Sequence, residues 1–280
     1  MKLSMKHYAL LAILFFISAC ASAPTRMPTA AANVHVLPTP FPMPGLNRER
    51  TVRVYLPPSY GDQSKRFPVL YMHDGQNLFD DATSYVGEWG VDETLNELAK
   101  SHGIEIIVVG IDHGREKRRN ELVIWPHPIV GAAEGEHYLR FLVHVLKPHI
   151  DKTYRTKSTR DDTAIMGSSL GGLMSHYAIH QHPNLFSKAG IFSPAYWVNP
   201  EIFAHMEKTP LPADAKLFLL VGGKEGPEYV EQTLRAAALE EKIGLRKENI
   251  VAKNIATGEH NEKFWRAYFG EAVLWMFAKW

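Results

Sequence analysis

The chain has 280 residues, of which 45% are hydrophobic, 22% charged and 11% aromatic, the composition of a globular protein rather than a disordered or collagen-like one. Its 31 basic and 30 acidic residues nearly cancel, which argues against nucleic acid as a partner. A single cysteine excludes an internal disulfide framework and any cysteine-built zinc or iron–sulfur centre.

Residues 1–19 read as an export signal. Lys2 and Lys6 supply the positive start, and Ala9 to Ile17 is an apolar core too short to span a bilayer. Ile17-Ser18-Ala19-Cys20 resembles the lipobox of bacterial lipoproteins, in which the cysteine receives lipid. The resemblance implies Cys20 as the lipid attachment site, and Ala21 after it fits sorting to the outer membrane. A cut after Ala23 is the alternative, with Pro24 as a poor neighbour for it. Anchoring would be the only contact with a membrane, on the periplasmic side. Loss of residues 1–19 leaves 29 basic against 30 acidic residues. Outside the cytoplasm there is no ATP or nicotinamide pool, so chemistry needing only water is favoured and no cofactor is expected. Residues 20–34, rich in Ala, Pro and Thr, read as a flexible tether. Residues 35–280 read as one domain.

Beyond the tether, strands and helices alternate. Residues 51–56 alternate like a strand, and 67–72 form the compact apolar run of a central one. Residues 91–100 have helical spacing, 104–111 read as a buried strand, and 112–132 are irregular. A helix is expected over 134–150, with Tyr138, Leu139, Phe141, Leu142, Val145 and Leu146 on one broad apolar face. Strands follow at 163–166, 189–192, 216–221 and 250–255. Helices are expected at 170–180, 228–243 and 261–280. This alternation predicts an α/β fold with a mostly parallel sheet flanked by helices on both faces.

Gly167-Ser168-Ser169-Leu170-Gly171 fits G-x-S-x-G, between a predicted strand and a predicted helix. That context is a nucleophile elbow, which lifts one serine hydroxyl above the sheet. Ser169 is the expected nucleophile, and it needs a base within hydrogen-bond reach. Downstream histidines are His176, His180, His182, His205 and His260. Only His260 falls in a loop after the last strand, where an imidazole can swing over the sheet edge. The acid should follow the strand at 216–221. Glu225 is the first choice, and Glu228, three residues on, is the alternative. Oxyanion donors are expected from the backbone N–H of Leu170 and of Gln76, the latter in His73-Asp74-Gly75-Gln76.

Taken together, His73-Asp74-Gly75-Gln76, the serine pentad with Gly172, Ser193-Pro194-Ala195-Tyr196-Trp197 and the His260 loop resemble the Putative esterase family of α/β-hydrolases. That family includes enterochelin, feruloyl and acetyl-xylan esterases and S-formylglutathione hydrolases. The resemblance implies an α/β-hydrolase fold, Ser169, Glu225 and His260 as the catalytic triad, and the Gln76 and Leu170 amides as the oxyanion hole; no metal is expected. The N-terminal domain of the long enterochelin esterases has no counterpart in this chain.

His73, Trp89, Arg118, Trp125 and Trp197 are candidate substrate-binding residues. The tryptophans fall in predicted loops and could wall a pocket for an aromatic or sugar group. Arg118 belongs to a basic cluster with Arg115, Lys117 and Arg119 that could grip an anionic substrate. His176, His180 and His182 have spacing compatible with a metal, but are expected to be packing or surface residues. The expected function is serine carboxylic-ester hydrolysis, on siderophore-type esters or on acyl groups of glycans. Acyl transfer and a catalytically silent binding lipoprotein remain the alternatives.

Overall fold

The computed structural model describes residues 26–278, so the residues read as an export signal, Cys20 and the first part of the expected tether lie outside the described residues. Short antiparallel pieces come first: β1 (Val34–Val36), β2 (Phe41–Met43), β3 (Arg48–Arg50) and β4 (Val52–Tyr55). Next are β5 (Val69–His73), α1 (Val91–His102), β6 (Ile107–Ile111), α2 (Arg118–Glu121), α3 (Gly135–Phe141) and α4 (Lys147–Thr153). The C-terminal half runs through β7 (Thr163–Ser168), α5 (Leu170–Gln181), β8 (Lys188–Phe192), α6 (Glu201–Lys208) and β9 (Lys216–Gly222). It closes with α7 (Pro227–Lys242), β10 (Ile250–Ile255) and α8 (Glu262–Phe277).

Eight strands form one sheet in the order β1-β4-β6-β5-β7-β8-β9-β10, while β2 and β3 pair separately. Strands from β6 to β10 pair in parallel, and β4 is antiparallel to both β1 and β6. Helices cover both faces, which is why β5 to β7 are buried along their whole length and read as continuous apolar runs. Side-chain alternation divides the core. Leu70, Met72, Met166 and Phe218 face α1 and α8, whereas Tyr71, Ile165, Ile191 and Leu219 face the helices between α3 and α7.

After β5 the chain first adds β6 on one side, then crosses to place β7 on the other. Such a reversal opens a crevice beyond the carboxyl ends of the strands, where ligands bind in open α/β sheets. The loop after β5 and the turn after β7 both emerge there.

Differences from the sequence reading are local. The helix expected over 134–150 runs on to Thr153 but is interrupted by a π-helical stretch, Leu142–Leu146. Pro148, in the first turn of α4, has no N–H for the preceding turn, and the ladder widens just before it. The strand expected from residue 104 starts at Ile107 because the residues before it end α1. Gly103 takes φ 65°, and the Ile104 N–H bonds the Leu98 carbonyl at 3.2 Å. Strands β1 to β3, of three residues each, are too short to be read from sequence, and α6 went unread although Ile202, Phe203 and Met206 give it one apolar face. Among the described residues, no helix is long and apolar enough to cross a membrane.

The described part of the predicted tether lies along the domain. The Thr29 hydroxyl donates to Glu88 at 2.8 Å, and the Ala31 N–H donates to Asp92 Oδ2 at 2.7 Å. Asp92 is fully buried, its Oδ1 has no partner, and burial pushes its carboxyl up to about 7. A raised carboxylate stabilises the fold below its unfolded value, and that contribution is lost as pH rises through about 7. Asp92→Asn mimics the protonated acid and should gain stability relative to the wild type between about pH 5 and about pH 8, by ~1–2 kcal/mol. Thermal midpoints of both proteins at the two pH values test this. A constant difference would remove the link to Asp92.

Candidate active site

Strand β7 delivers Ser169 into a sharp turn with φ 58° and ψ −122°, a conformation that serine seldom adopts. Neighbouring contacts hold it there. The Ser169 N–H bonds the Phe192 carbonyl at 2.9 Å, and the Ser169 carbonyl accepts from Ala195 at 3.0 Å. A Cβ on Gly167 would come within 2.8 Å of the Gly171 carbonyl carbon, so only glycine lets the strand and the helix approach this closely. Leu170 opens α5, where the first amides have no carbonyl of their own helix to bond.

His260 comes from the loop between β10 and α8. Its Nδ1 lies 2.7 Å from Glu225 Oε2, and Glu225 follows directly on β9. The other oxygen of Glu225 accepts from the Gly222 N–H at 2.7 Å and from the Ser193 hydroxyl at 2.6 Å. The Glu225 side chain is fully buried, while that of His260 is 32% exposed. Glu225 is an acceptor throughout, so His260 Nδ1 carries the hydrogen and Nε2 keeps a free lone pair. The edge of Trp265 and the ring of Tyr229 flank the imidazole, with centroids 5.1 and 5.2 Å away. Close backbone approach sets the loop: a Cβ on Gly222 would meet the Gly258 carbonyl carbon at 2.4 Å.

Ser169 and His260 line one open cavity of about 300 Å³ with His73, Asp74, Trp89, Arg118, Glu262 and Trp265 among the other walls. His73 is buried, its Nδ1 is 2.7 Å from the Tyr138 hydroxyl, and burial pushes it down to about 4, so the ring is neutral. Burial alone would raise Asp74, but the Arg118 guanidinium holds it below the usual carboxylate range. Burial raises Glu262. Exposed Tyr85 and Val86 stand at the mouth.

The candidates named from sequence sort into three groups. Ser169, His260, His73, Trp89 and Arg118 line the cavity, and Glu225 stands behind His260. Glu228 lies exposed in the first turn of α7 and receives a bond from Gln232, so it is Glu225 that reaches the imidazole. Leu170 and Gln76 add no surface to the cavity. The Gln76 side chain turns to the loop after β6, where its Oε1 accepts from the His113 N–H at 3.0 Å.

Three substrate-contact expectations need correction. Trp125 does not line the cavity; its indole packs edge-on against Tyr177 and His205. Arg118 does line it, but its charge is engaged by a two-bond pair with Asp74 at 2.6 and 2.8 Å. A guanidinium so paired is a weak grip for an anionic substrate. Trp197 is one residue removed: its indole N–H donates to the Tyr229 hydroxyl at 2.8 Å, and Tyr229 in turn touches His260. Trp89 does fall in a loop, the segment before α1, and there it is a buried wall stacked on Phe192. Sequence reasoning missed Ser193 as a functional residue. Its place in Ser193-Pro194-Ala195-Tyr196-Trp197 was the one available signal, whereas its positive φ of 44° is visible only in the structure.

A parallel sheet with helices on both faces and a strained serine at the β7–α5 turn is the architecture of an α/β-hydrolase. The sequence profile of the Putative esterase family matches residues 44–276, and the chain belongs to that family. That membership makes it a hydrolase of the esterase type. The chain is 27% identical over 244 residues to the uncharacterised protein YbbA of Bacillus subtilis (strain 168), covering 82% of this chain and 93% of YbbA. It is 26% identical over 221 residues to an endo-1,4-beta-xylanase/feruloyl esterase of Xylanibacter ruminicola, covering 78% of this chain but only 28% of that protein. The enterobactin esterase FES of Shigella flexneri shares the fold with a TM-score of 0.72 at 18% identity, over 89% of this chain and 60% of FES.

Proposed function

We propose that the protein hydrolyses carboxylic esters through an acyl-enzyme formed on Ser169. The observation that carries this reading is the His260–Glu225 pair, closed at 2.7 Å, beside the cavity that Ser169 lines. His260 Nε2 takes the Ser169 hydroxyl proton as the oxygen attacks the ester carbonyl. The proton then goes to the leaving alcohol, which departs. Water, deprotonated by the same nitrogen, attacks the acyl-enzyme, and His260 returns that proton to the Ser169 oxygen as its bond to the acyl group breaks and the acid leaves. Glu225 holds the productive tautomer and stabilises the imidazolium without taking the proton. The Leu170 N–H, with the Gln76 N–H from the loop after β5, receives the negative charge on the carbonyl oxygen.

The acyl group we assign is compact and aromatic. Trp89, Trp265 and Tyr85 offer aromatic walls, and about 300 Å³ is a small site. Pairing of Arg118 with Asp74 removes the reason to prefer an anionic siderophore, so a feruloyl-type ester of a glycan is the favoured substrate. The name of the Xylanibacter relative points the same way. Siderophore-type trilactones are the second reading, supported by the fold shared with FES. A fluorophosphonate probe should label the wild type and leave Ser169→Ala unlabelled. Turnover of feruloyl esters, trilactone siderophores and acetylated sugars then ranks the substrates. No labelling and no turnover would leave the silent binding lipoprotein as the better account.

Export and lipid attachment at Cys20 are part of the same proposal and rest on the lipobox pattern alone. A lipid mass shift in cells, abolished by Cys20→Ser, tests them.

A further inference from the structure

Behind the elbow, α5 carries two histidines one turn apart. His176 and His180 are fully buried and face Glu240 of α7, itself fully buried. Glu240 Oε1 lies 3.0 Å from His176 Nε2 and 2.7 Å from His180 Nε2. The outer nitrogens are held as well. His180 Nδ1 is 2.8 Å from the Thr209 carbonyl, and His176 Nδ1 is 2.6 Å from the Tyr196 hydroxyl.

Hydrogen counting shows why this cluster is unusual. A carbonyl only accepts, so His180 Nδ1 carries the hydrogen. In the neutral ring Nε2 is then a lone pair, and it faces a carboxylate oxygen at 2.7 Å. Two acceptors cannot meet in an apolar interior unless a proton or a metal ion lies between them. One shared proton would serve Oε1 only. Glu240 Oε2 is buried without a partner, and so is Nε2 of His205, whose ring is 6.2 Å from that of His180.

We propose that His176, His180 and Glu240 bind a divalent transition metal of the zinc type, which ties α5 to α7. The donor set of two imidazoles and one carboxylate suits zinc, and its imidazoles have the outer oxygen partners that orient ligating histidines. The two rings are 5.2 Å apart, against about 5 Å for imidazoles sharing one tetrahedral ion. The 3.0 and 2.7 Å donor separations must spread by about 0.3 and about 0.6 Å, since tetrahedral zinc ligands stand about 3.3 Å apart. Glu240 Oε2, the His205 ring or a water is at hand for the fourth position. The site would be structural, because it touches neither Ser169 nor the cavity that Ser169 lines. Its consequence for the reaction is indirect: α5 begins at Leu170, and α7 begins just after Glu225.

The full chain, purified from zinc-supplemented medium, should carry about one zinc per molecule by mass spectrometric metal analysis. Chelation should lower its thermal midpoint by about 5 °C, and added zinc should restore it. His176→Asn/His180→Asn, checked for folding by circular dichroism, should lose the metal. Wild-type protein that is metal-free, with a midpoint that zinc does not move, would overturn the proposal. So would a folded double variant retaining the same zinc, which would place the ion on other histidines. If the double variant does not fold, the wild-type measurements decide alone.

Discussion

Ser169→Ala should lower the turnover of a nitrophenyl acyl ester by about 10⁴-fold or more while leaving the protein folded. Alanine and serine meet the same backbone restrictions at φ 58°, so the elbow keeps its shape. The loss is that of the attacking oxygen alone. His260→Ala should fall to a similar level, because a serine hydroxyl without a base in reach is a poor nucleophile. Combining the two changes should cost little more than either, since they act as one unit. Steady-state rates with matched thermal midpoints check all three variants. Full activity in Ser169→Ala would mean that ester cleavage occurs elsewhere on the protein.

Glu225→Gln should cost about 10³- to 10⁴-fold in kcat, although the shape barely changes. Its Oε1 position receives two donors, the Gly222 N–H and the Ser193 hydroxyl. A glutamine must therefore place its carbonyl oxygen there and turn its NH₂ group toward His260 Nδ1. That nitrogen then has to be the lone pair, the hydrogen moves to Nε2, and the imidazole can no longer accept from Ser169. Glu228→Gln, on the exposed first turn of α7, should leave turnover unchanged. Normal turnover in Glu225→Gln together with a loss in Glu228→Gln would reverse the assignment of the acid.

How much was legible in the sequence depended on the range of the interaction. Runs such as Val69 to His73 identify central strands because burial on both faces leaves no polar alternation. The pentad around Ser169 identifies the elbow because tight turns restrict residue type locally. The start of β6 was placed too early because the cap of α1 borrows residues from the apolar run that follows it. Within the site, sequence left Glu225 and Glu228 as rivals. They are separated only by which one reaches His260, 35 residues further on. Ser193 joins Glu225 across 32 residues, and no local pattern marks a hydroxyl for that task.

By itself, then, the sequence determined the alternating α/β order, the serine at its strained turn and the histidine loop after the last strand. Each of these is a property of neighbouring residues: period, turn chemistry or position after a strand. Tertiary structure decided which charges and rings spend themselves on one another. It pairs Arg118 with Asp74, sends Trp125 into packing against Tyr177, and brings Glu240 to His176 and His180. Such partners are chosen by the packing of helices and strands distant in the chain, and a buried polar group takes whichever partner that packing places within reach.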